Sequence, residues 1–249
     1  MSRPAKRQLT VRFGDGSTAP LGVRRTRDPQ PGTRPVLFVH GPPGWAWTWN
    51  AYLRRPPDGC HAIALDRPGF GRSASAGTRT DFEDHSNAIE AVLSSLAPGP
   101  KPILVGHSLG GPICAWAGAK WPNRFAGLVL IAPALDPRFE FPRWYNRLAK
   151  RIAWVLPRPV RRANEEIYAA LEQTRRLEPM LSRITAPTVV LHGKRDRLVS
   201  YENMAYAERH LGSASDPQTI TLDRAGHLIP WTHRKLVNDT IARLASGSD

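Results

Sequence analysis

From residue 36 onward the chain alternates short, largely apolar runs with stretches of helical periodicity. The runs fall at 36–39, 61–65, 103–105, 128–131, 188–191 and 219–222, rich in Val, Ile and Leu and bounded by Gly or Pro. Runs this apolar predict strands covered on both faces, as in the parallel sheet of βαβ units. Helices are predicted between them, near 81–96, 109–121, 201–211 and 232–244. In the first, Phe82, Ile89, Val92, Leu93 and Leu96 share one face, and Thr80 with Glu83 has the spacing of a capping box. The first 35 residues differ. Leu9-Thr10-Val11-Arg12-Phe13 alternates, Gly14-Asp15-Gly16 marks a turn, and a weaker strand follows at 21–23, which predicts an antiparallel hairpin.

One interval breaks the rhythm. Between Ala134 and Pro187 roughly 50 residues contain no strand signal, an unusual length for a connection. They hold helical patches at 144–156 and 164–177, separated by Pro157 and Pro159. The expected organisation is a core of 1–134 and 187–249 with a helical cap at 135–186. An insertion of this kind after a strand is a candidate lid over a site.

The strongest chemical signal is Gly106-His107-Ser108-Leu109-Gly110, directly after an apolar strand and directly before a helix. This is the setting of a serine nucleophile held on a tight strand-to-helix turn. Side chains at positions 106 and 110 would collide with such a turn. The helix N-terminus beneath it favours developing negative charge. A serine hydroxyl needs a base. Of eight histidines, His227 follows the last strand in a loop, where sites on parallel sheets form. His233 and His210 read as surface residues of helices, His192 as a packed strand end, and His85 as helical. The acid that orients the base is Asp196, five residues past a strand end; Asp136 is its rival. Asp223 is expected to pair with Arg224 or solvent.

Together with two further motifs, these features resemble the α/β-hydrolase superfamily across residues 8–246. His40-Gly41-Pro42-Pro43-Gly44 resembles the oxyanion loop of that family, and Asp66-Arg67-Pro68-Gly69-Phe70-Gly71-Arg72-Ser73 its D-x-x-G-x-G-x-S loop. The resemblance implies an α/β fold: a mostly parallel twisted sheet with an N-terminal antiparallel hairpin, helices on both faces and a small helical cap. It also implies a Ser108-His227-Asp196 triad that transfers an acyl group to water, with no cofactor and no metal. The expected substrate is a small carboxylic ester. Hydrolysis of a carbon–carbon or amide bond, perhydrolysis, or ligand binding without turnover are alternatives on the same residues. A serine rather than an aspartate at position 108 argues against dehalogenase or epoxide hydrolase chemistry, which the family runs through an aspartate.

One departure stands out. The family's oxyanion hole takes one N–H from the residue after the nucleophile, Leu109, and a second from the position of Pro42, which has none. Pro43 has none either, so Gly41, Gly44, Trp45 or a water must supply it. His40, His107, Trp45 and Trp144 are candidate substrate contacts. Trp45, Trp47 and Trp49 either line an acyl pocket or pack the first helix. Trp144, Tyr145 and Trp154 either roof an apolar site or pack within the cap.

Composition adds little until it is divided by position. The chain has 249 residues, 41% of them hydrophobic, which suits a globular domain with a sizeable core. No run approaches the length of a membrane-spanning helix. The opening stretch has positive charge without an apolar segment, so a cytoplasmic chain is expected. Two cysteines are too few for a disulfide framework or a zinc site. The net charge of +14 sits mainly in two places: +6 in residues 1–34 and +7 in residues 138–162. Neither carries a nucleic-acid motif, so no nucleic-acid partner is expected. In the second, Arg143, Arg147, Lys150 and Arg151 interleave with Trp144, Leu148, Ile152 and Val155. Such a basic amphipathic segment suits contact with an anionic membrane surface, steering of an anionic substrate, or a solvated helix face.

Overall fold

A computed structural model describes residues 3–211 and 217–247; residues 1–2, 212–216 and 248–249, which fall within the expected core segments, lie outside the described residues. One sheet contains β1 (Ala5–Arg12), β2 (Thr18–Arg25), β3 (Arg34–Val39), β4 (Cys60–Leu65), β5 (Ile103–His107), β6 (Gly127–Ile131), β7 (Thr188–Gly193) and β8 (Gln218–Leu222). Their spatial order is β1-β2-β4-β3-β5-β6-β7-β8. β1 pairs antiparallel with β2, and β2 antiparallel with β4; every other pairing is parallel.

The helices are α1 (Asn50–Arg54), α2 (Phe82–Leu93), α3 (Gly110–Lys120), α4 (Trp144–Arg151), α5 (Arg158–Leu177), α6 (Asn203–His210), α7 (Ile229–Thr232) and α8 (Arg234–Ser246). Successive strand residues point to opposite faces, and each face has its own core. Leu37, Val39, Leu104, Leu128 and Val190 pack with residues of α2, α3 and α6. Val36, Phe38, Ile103, Val105, Val129 and Leu191 pack with Tyr52 and Leu53 of α1 and Val237 and Ile241 of α8. Burial on both faces is why these strands read as unbroken apolar runs. Between β6 and β7 come α4, α5 and a 3-10 turn, Glu178–Arg183.

Three local expectations are corrected. The hairpin strands are longer than their apolar alternation, pairing without interruption from Ala5↔Arg25 to Arg12↔Thr18. Backbone pairing continues through Lys6 and Arg7, and charge of this kind is what an exposed edge strand such as β1 carries; their partners Arg24 and Val23, like Arg25, lie on β2, which is also paired with β4. Helix α2 is not capped by Thr80. Asp81 is its N-cap and accepts the Glu83 N–H at 2.9 Å, an ionised acceptor facing the positive end of the helix. The Glu83 carboxylate turns instead to Trp116 Nε1 at 2.9 Å and to Lys120. The last predicted helix begins two residues later, at Arg234, after a separate short turn of helix, α7; between them His233 has a non-helical backbone, φ −126° and ψ 38°. Both cysteines are free and buried. Among the described residues no helix is long and apolar enough to cross a membrane.

Candidate active site

Each central strand delivers one element of the site from its carboxyl end, where the loops of parallel sheets converge. β5 ends at His107 and α3 starts at Gly110, leaving Ser108 at the turn with φ +56°. That left-handed backbone is strained for a residue with a side chain, and strain of this kind concentrates at functional positions. It is held by Ser108 N–H donating to Ile131 O at 3.0 Å and by Gly111 N–H donating to Ser108 O at 2.9 Å. The flanking glycines answer to sterics. A Cβ at Gly106 would lie 2.3 Å from Gly110 O, and one at Gly110 would lie 2.3 Å from Val39 O. Leu109, buried, is the N-cap of α3, so its backbone sits at the positive end of that helix.

Past β8, His227 places Nδ1 2.7 Å from Asp196 Oδ2. Asp196 leaves β7 by a turn in which its other oxygen accepts the Leu198 and Val199 N–H groups at 2.8 and 3.0 Å. His192 also approaches it, with Nε2 3.3 Å from Oδ2. Burial alone would raise the Asp196 carboxyl. The bonds from His192, His227 and Val199 outweigh that and hold it well below the usual carboxylate range. Asp196 therefore stays ionised and fixes His227 with Nδ1 protonated and Nε2 free toward the cavity. His107 braces the same ring: its centroid is 4.6 Å from that of His227, and its Nε2 donates to His227 O at 2.9 Å. Burial, with His227 beside it, lowers His107 to about 3, so it is neutral and carries its proton on Nε2. Among the described residues no hydrogen bond joins Ser108 Oγ to His227; both line one cavity.

The rival acid is occupied elsewhere. Asp136 is clamped by Arg138, with Nη2 to Oδ2 at 2.6 Å. Asp223 pairs with Lys194 at 2.8 Å rather than with Arg224.

The loop after β3 is held by His40. Its Nε2 accepts the Arg67 N–H at 3.0 Å, so Nδ1 carries the proton and donates to Gly41 O at 3.0 Å. Burial and the Arg67 charge keep this imidazole neutral, well below its ordinary pKa. Gly41 lies against Ser108; a Cβ there would be 3.1 Å from Ser108 Oγ. Pro42 also lines the cavity. Arg67 in turn forms a two-pronged ion pair with Glu166 of α5, both contacts 2.8 Å and both side chains buried. His85 completes this cluster, Nε2 lying 3.3 Å from Glu166 Oε1. Nearby, Asp66 accepts the Ala46 N–H at 2.7 Å and the Arg72 N–H at 3.1 Å, tying the loops after β3 and β4 together.

The cavity has a volume of about 420 Å³. Its floor is His40, Gly41, Pro42, His107, Ser108, Leu109 and His227. Its roof comes from the segment between β6 and β7, including Phe139, Phe141, Tyr145, Ile167 and Ala170. Of the expected substrate contacts, His40 and His107 are in the wall; Trp45 and Trp144 are not. Trp45 stacks on Trp47 at 5.9 Å, and Trp144 is 75% exposed. Trp49 packs in the core against Phe38 at 4.8 Å. Sequence reasoning missed Trp231, whose indole meets His107 edge-on at 5.2 Å, and Glu140, a carboxyl in the cavity wall. Burial pushes Glu140 up to about 7, opposed only in part by Arg143. Among the described residues no group of three or more His, Cys, Asp or Glu is arranged to hold a metal.

The chain belongs to the alpha/beta hydrolase fold family, whose model matches residues 34–166, just over half of the chain. It is 25% identical to the uncharacterised hydrolase YugF of Bacillus subtilis strain 168, over 85% of this chain and 90% of that protein. To monoacylglycerol lipase abhd6-B of Xenopus laevis it is 26% identical, over 87% of this chain and 78% of that protein. Among solved structures, haloalkane dehalogenase DbeA from Bradyrhizobium elkani superposes with a TM-score of 0.72 at 18% identity, covering 98% of each chain, a likeness of fold alone.

Proposed function

We propose that this protein hydrolyses carboxylic esters, with Ser108 as nucleophile, His227 as general base and acid, and Asp196 as the group that orients His227. Residues 135–186 act as a cap that roofs the acyl site. The observation that carries the proposal is a strained Ser108 at the head of α3, in one cavity with an imidazole whose far nitrogen is fixed by a buried, ionised Asp196.

Ser108 Oγ attacks the ester carbonyl as His227 Nε2 takes its proton, closing the Ser108–His227 gap as catalytic hydrogen bonds do when substrate binds. The oxyanion meets the Leu109 N–H and the N-terminus of α3; with prolines at 42 and 43, the second donor comes from the backbone of Gly41, Gly44 or Trp45 or from a water. Collapse of the tetrahedral species breaks the C–O bond, and the alcohol leaves with the proton from His227. Water then attacks the acyl-enzyme, His227 again taking the proton, and the carboxylic acid departs with Ser108 restored. Largely apolar walls suit an uncharged acyl part, and the lipase and hydrolase names of the relatives agree with an ester substrate.

A fluorophosphonate probe tests this directly. The wild-type chain should label, Ser108→Ala should not, and kcat/KM on a p-nitrophenyl ester should fall at least about 10⁴-fold in that variant. A wild-type chain that neither labels nor turns over esters would instead be a binding module that kept the fold.

A further inference from the structure

Helix α4 is packed inside out. A helix on a protein surface ordinarily turns its apolar stripe inward and its polar face to water. In α4 the buried residue is Asn146, whose Nδ2 donates to Asn164 Oδ1 of α5 at 3.0 Å, while Asn164 Nδ2 donates back to Asn146 O at 3.1 Å. Its apolar side chains face out: Trp144 is 75% exposed, Leu148 50%, and just beyond the helix Trp154 is 83% and Val155 54% exposed. Trp144, Leu148 and the C-cap residue Ile152 recur at helical spacing and form one stripe, and Trp154 and Val155 lie exposed in the turn that continues it. Scattered exposed hydrophobics need no explanation, but a contiguous stripe with bulky aromatics marks an interaction surface.

Charge narrows the partner. Residues 138–162 hold eight Lys or Arg against one acidic residue, Glu140. Arg147, Arg151 and Arg158 are exposed, and none of them forms an ion pair among the described residues. The patch thus offers apolar side chains ready to insert, flanked by cations with no anion of their own. A second copy of this chain would bring like charge against like. A duplex nucleic acid, its bases stacked inside, would leave the tryptophans facing phosphates. Acyl chains with anionic headgroups satisfy both features together.

We propose that the outward stripe of α4 and the turn after it dock on an anionic lipid bilayer. The stripe adjoins the cavity mouth: Tyr145, next to Trp144, lines the cavity, as do Phe141 and Leu198, 53% and 60% exposed. An apolar molecule leaving the bilayer here passes from lipid to the Ser108 cavity along apolar side chains.

The test is flotation of the whole chain with vesicles of phosphatidylcholine, alone or with about 30 mol% phosphatidylglycerol, at low salt and at about 0.5 M NaCl. The bound fraction should rise about tenfold with phosphatidylglycerol and fall again in high salt. The double variant Leu148→Ser/Trp154→Ser should lose binding, as should Arg147→Glu/Arg151→Glu, each keeping a wild-type circular dichroism spectrum. Neither pair touches the cavity wall, so hydrolysis of a short, water-soluble ester should be unchanged in the serine variant. Ser108→Ala should bind vesicles like wild type, which separates this proposal from the catalytic one. Failure to bind at low salt, or equal binding to both vesicle types, overturns it. So does sedimentation as a dimer that the serine variant abolishes, or tighter binding to duplex DNA than to the anionic vesicles.

Discussion

Two helices lie side by side between β6 and β7 and are joined to the rest of the molecule by different chemistry. Helix α5 buries Ala163, Asn164, Glu166, Ala170, Gln173, Thr174 and Leu177; α4 buries Asn146. Helix α5 is tied to the core along its length. Glu166 grips Arg67, Arg162 donates to Gly69 O, the Gln173 carbonyl accepts the Phe82 N–H at 3.0 Å, and Arg176 meets Asp81 at 2.7 Å. The segment opening α4 reaches the core through Arg143, whose guanidinium donates to the carbonyls of Arg197 and Leu198 at 3.0 and 3.2 Å. The difference teaches that one inserted segment can divide its work. Helix α5 is part of the scaffold, its Glu166 fixing the Arg67 whose backbone fixes His40. Helix α4 turns its apolar residues outward, toward the partner proposed above.

The sharpest way to break this contrast is to change one side chain in each helix. Glu166→Ala leaves the buried Arg67 guanidinium without its partner and should cost about 3–5 kcal/mol, read as a lower urea midpoint. Leu148→Ser should stay within about 0.5 kcal/mol, as exposed positions do. A small cost for Glu166→Ala would remove the distinction.

Acid should separate the two helices next. Burial would raise the Glu166 carboxyl, but Arg67 and His85 hold it below its ordinary value, and Asp196 is held low as well. Depressed carboxylates stabilise the fold above their unfolded pKa and lose that contribution as pH falls through the folded one. Urea midpoints should therefore drop from about pH 4 downward, and Glu166→Gln, less stable at neutral pH, should show a shallower decline. An unchanged slope would mean the Glu166 charge is not what anchors α5.

The smallest expected effect lies at the entry to α4. Glu140 is raised to about 7 by burial in the cavity wall. It is neutral below that pH and ionised above it, where a charge opposes binding of an uncharged acyl chain. KM for a neutral ester should rise a few-fold, roughly two to five, between pH 6 and 8, and Glu140→Gln should flatten the rise.

What the sequence made legible follows from distance along the chain. Ser108 and its glycines form one local motif, and the strand ends that carry Asp196 and His227 are marked by apolar runs, so their convergence followed from parallel topology alone. Arg67 was visible as part of a loop motif, but its partner Glu166 is 99 residues away on a helix whose docking no periodicity specifies. Glu140 is only a carboxyl in a basic segment until that segment folds back to wall the cavity. For α4 the pattern was read correctly as amphipathic, yet amphipathy does not say which face turns inward. The Asn146–Asn164 pair decided that, and it put Trp144 outside the cavity it was expected to roof.

The two cysteines carry a practical consequence. Cys60 and Cys114 are both buried; burial pushes the Cys60 thiol up to about 11 and that of Cys114 further still. Neither is a thiolate near neutral pH, so neither competes for a maleimide or a spin label. The protein thus comes with a silent background for site-directed labelling. A Leu148→Cys variant would carry its reporter on the outer stripe of α4 without any native residue having to be removed first.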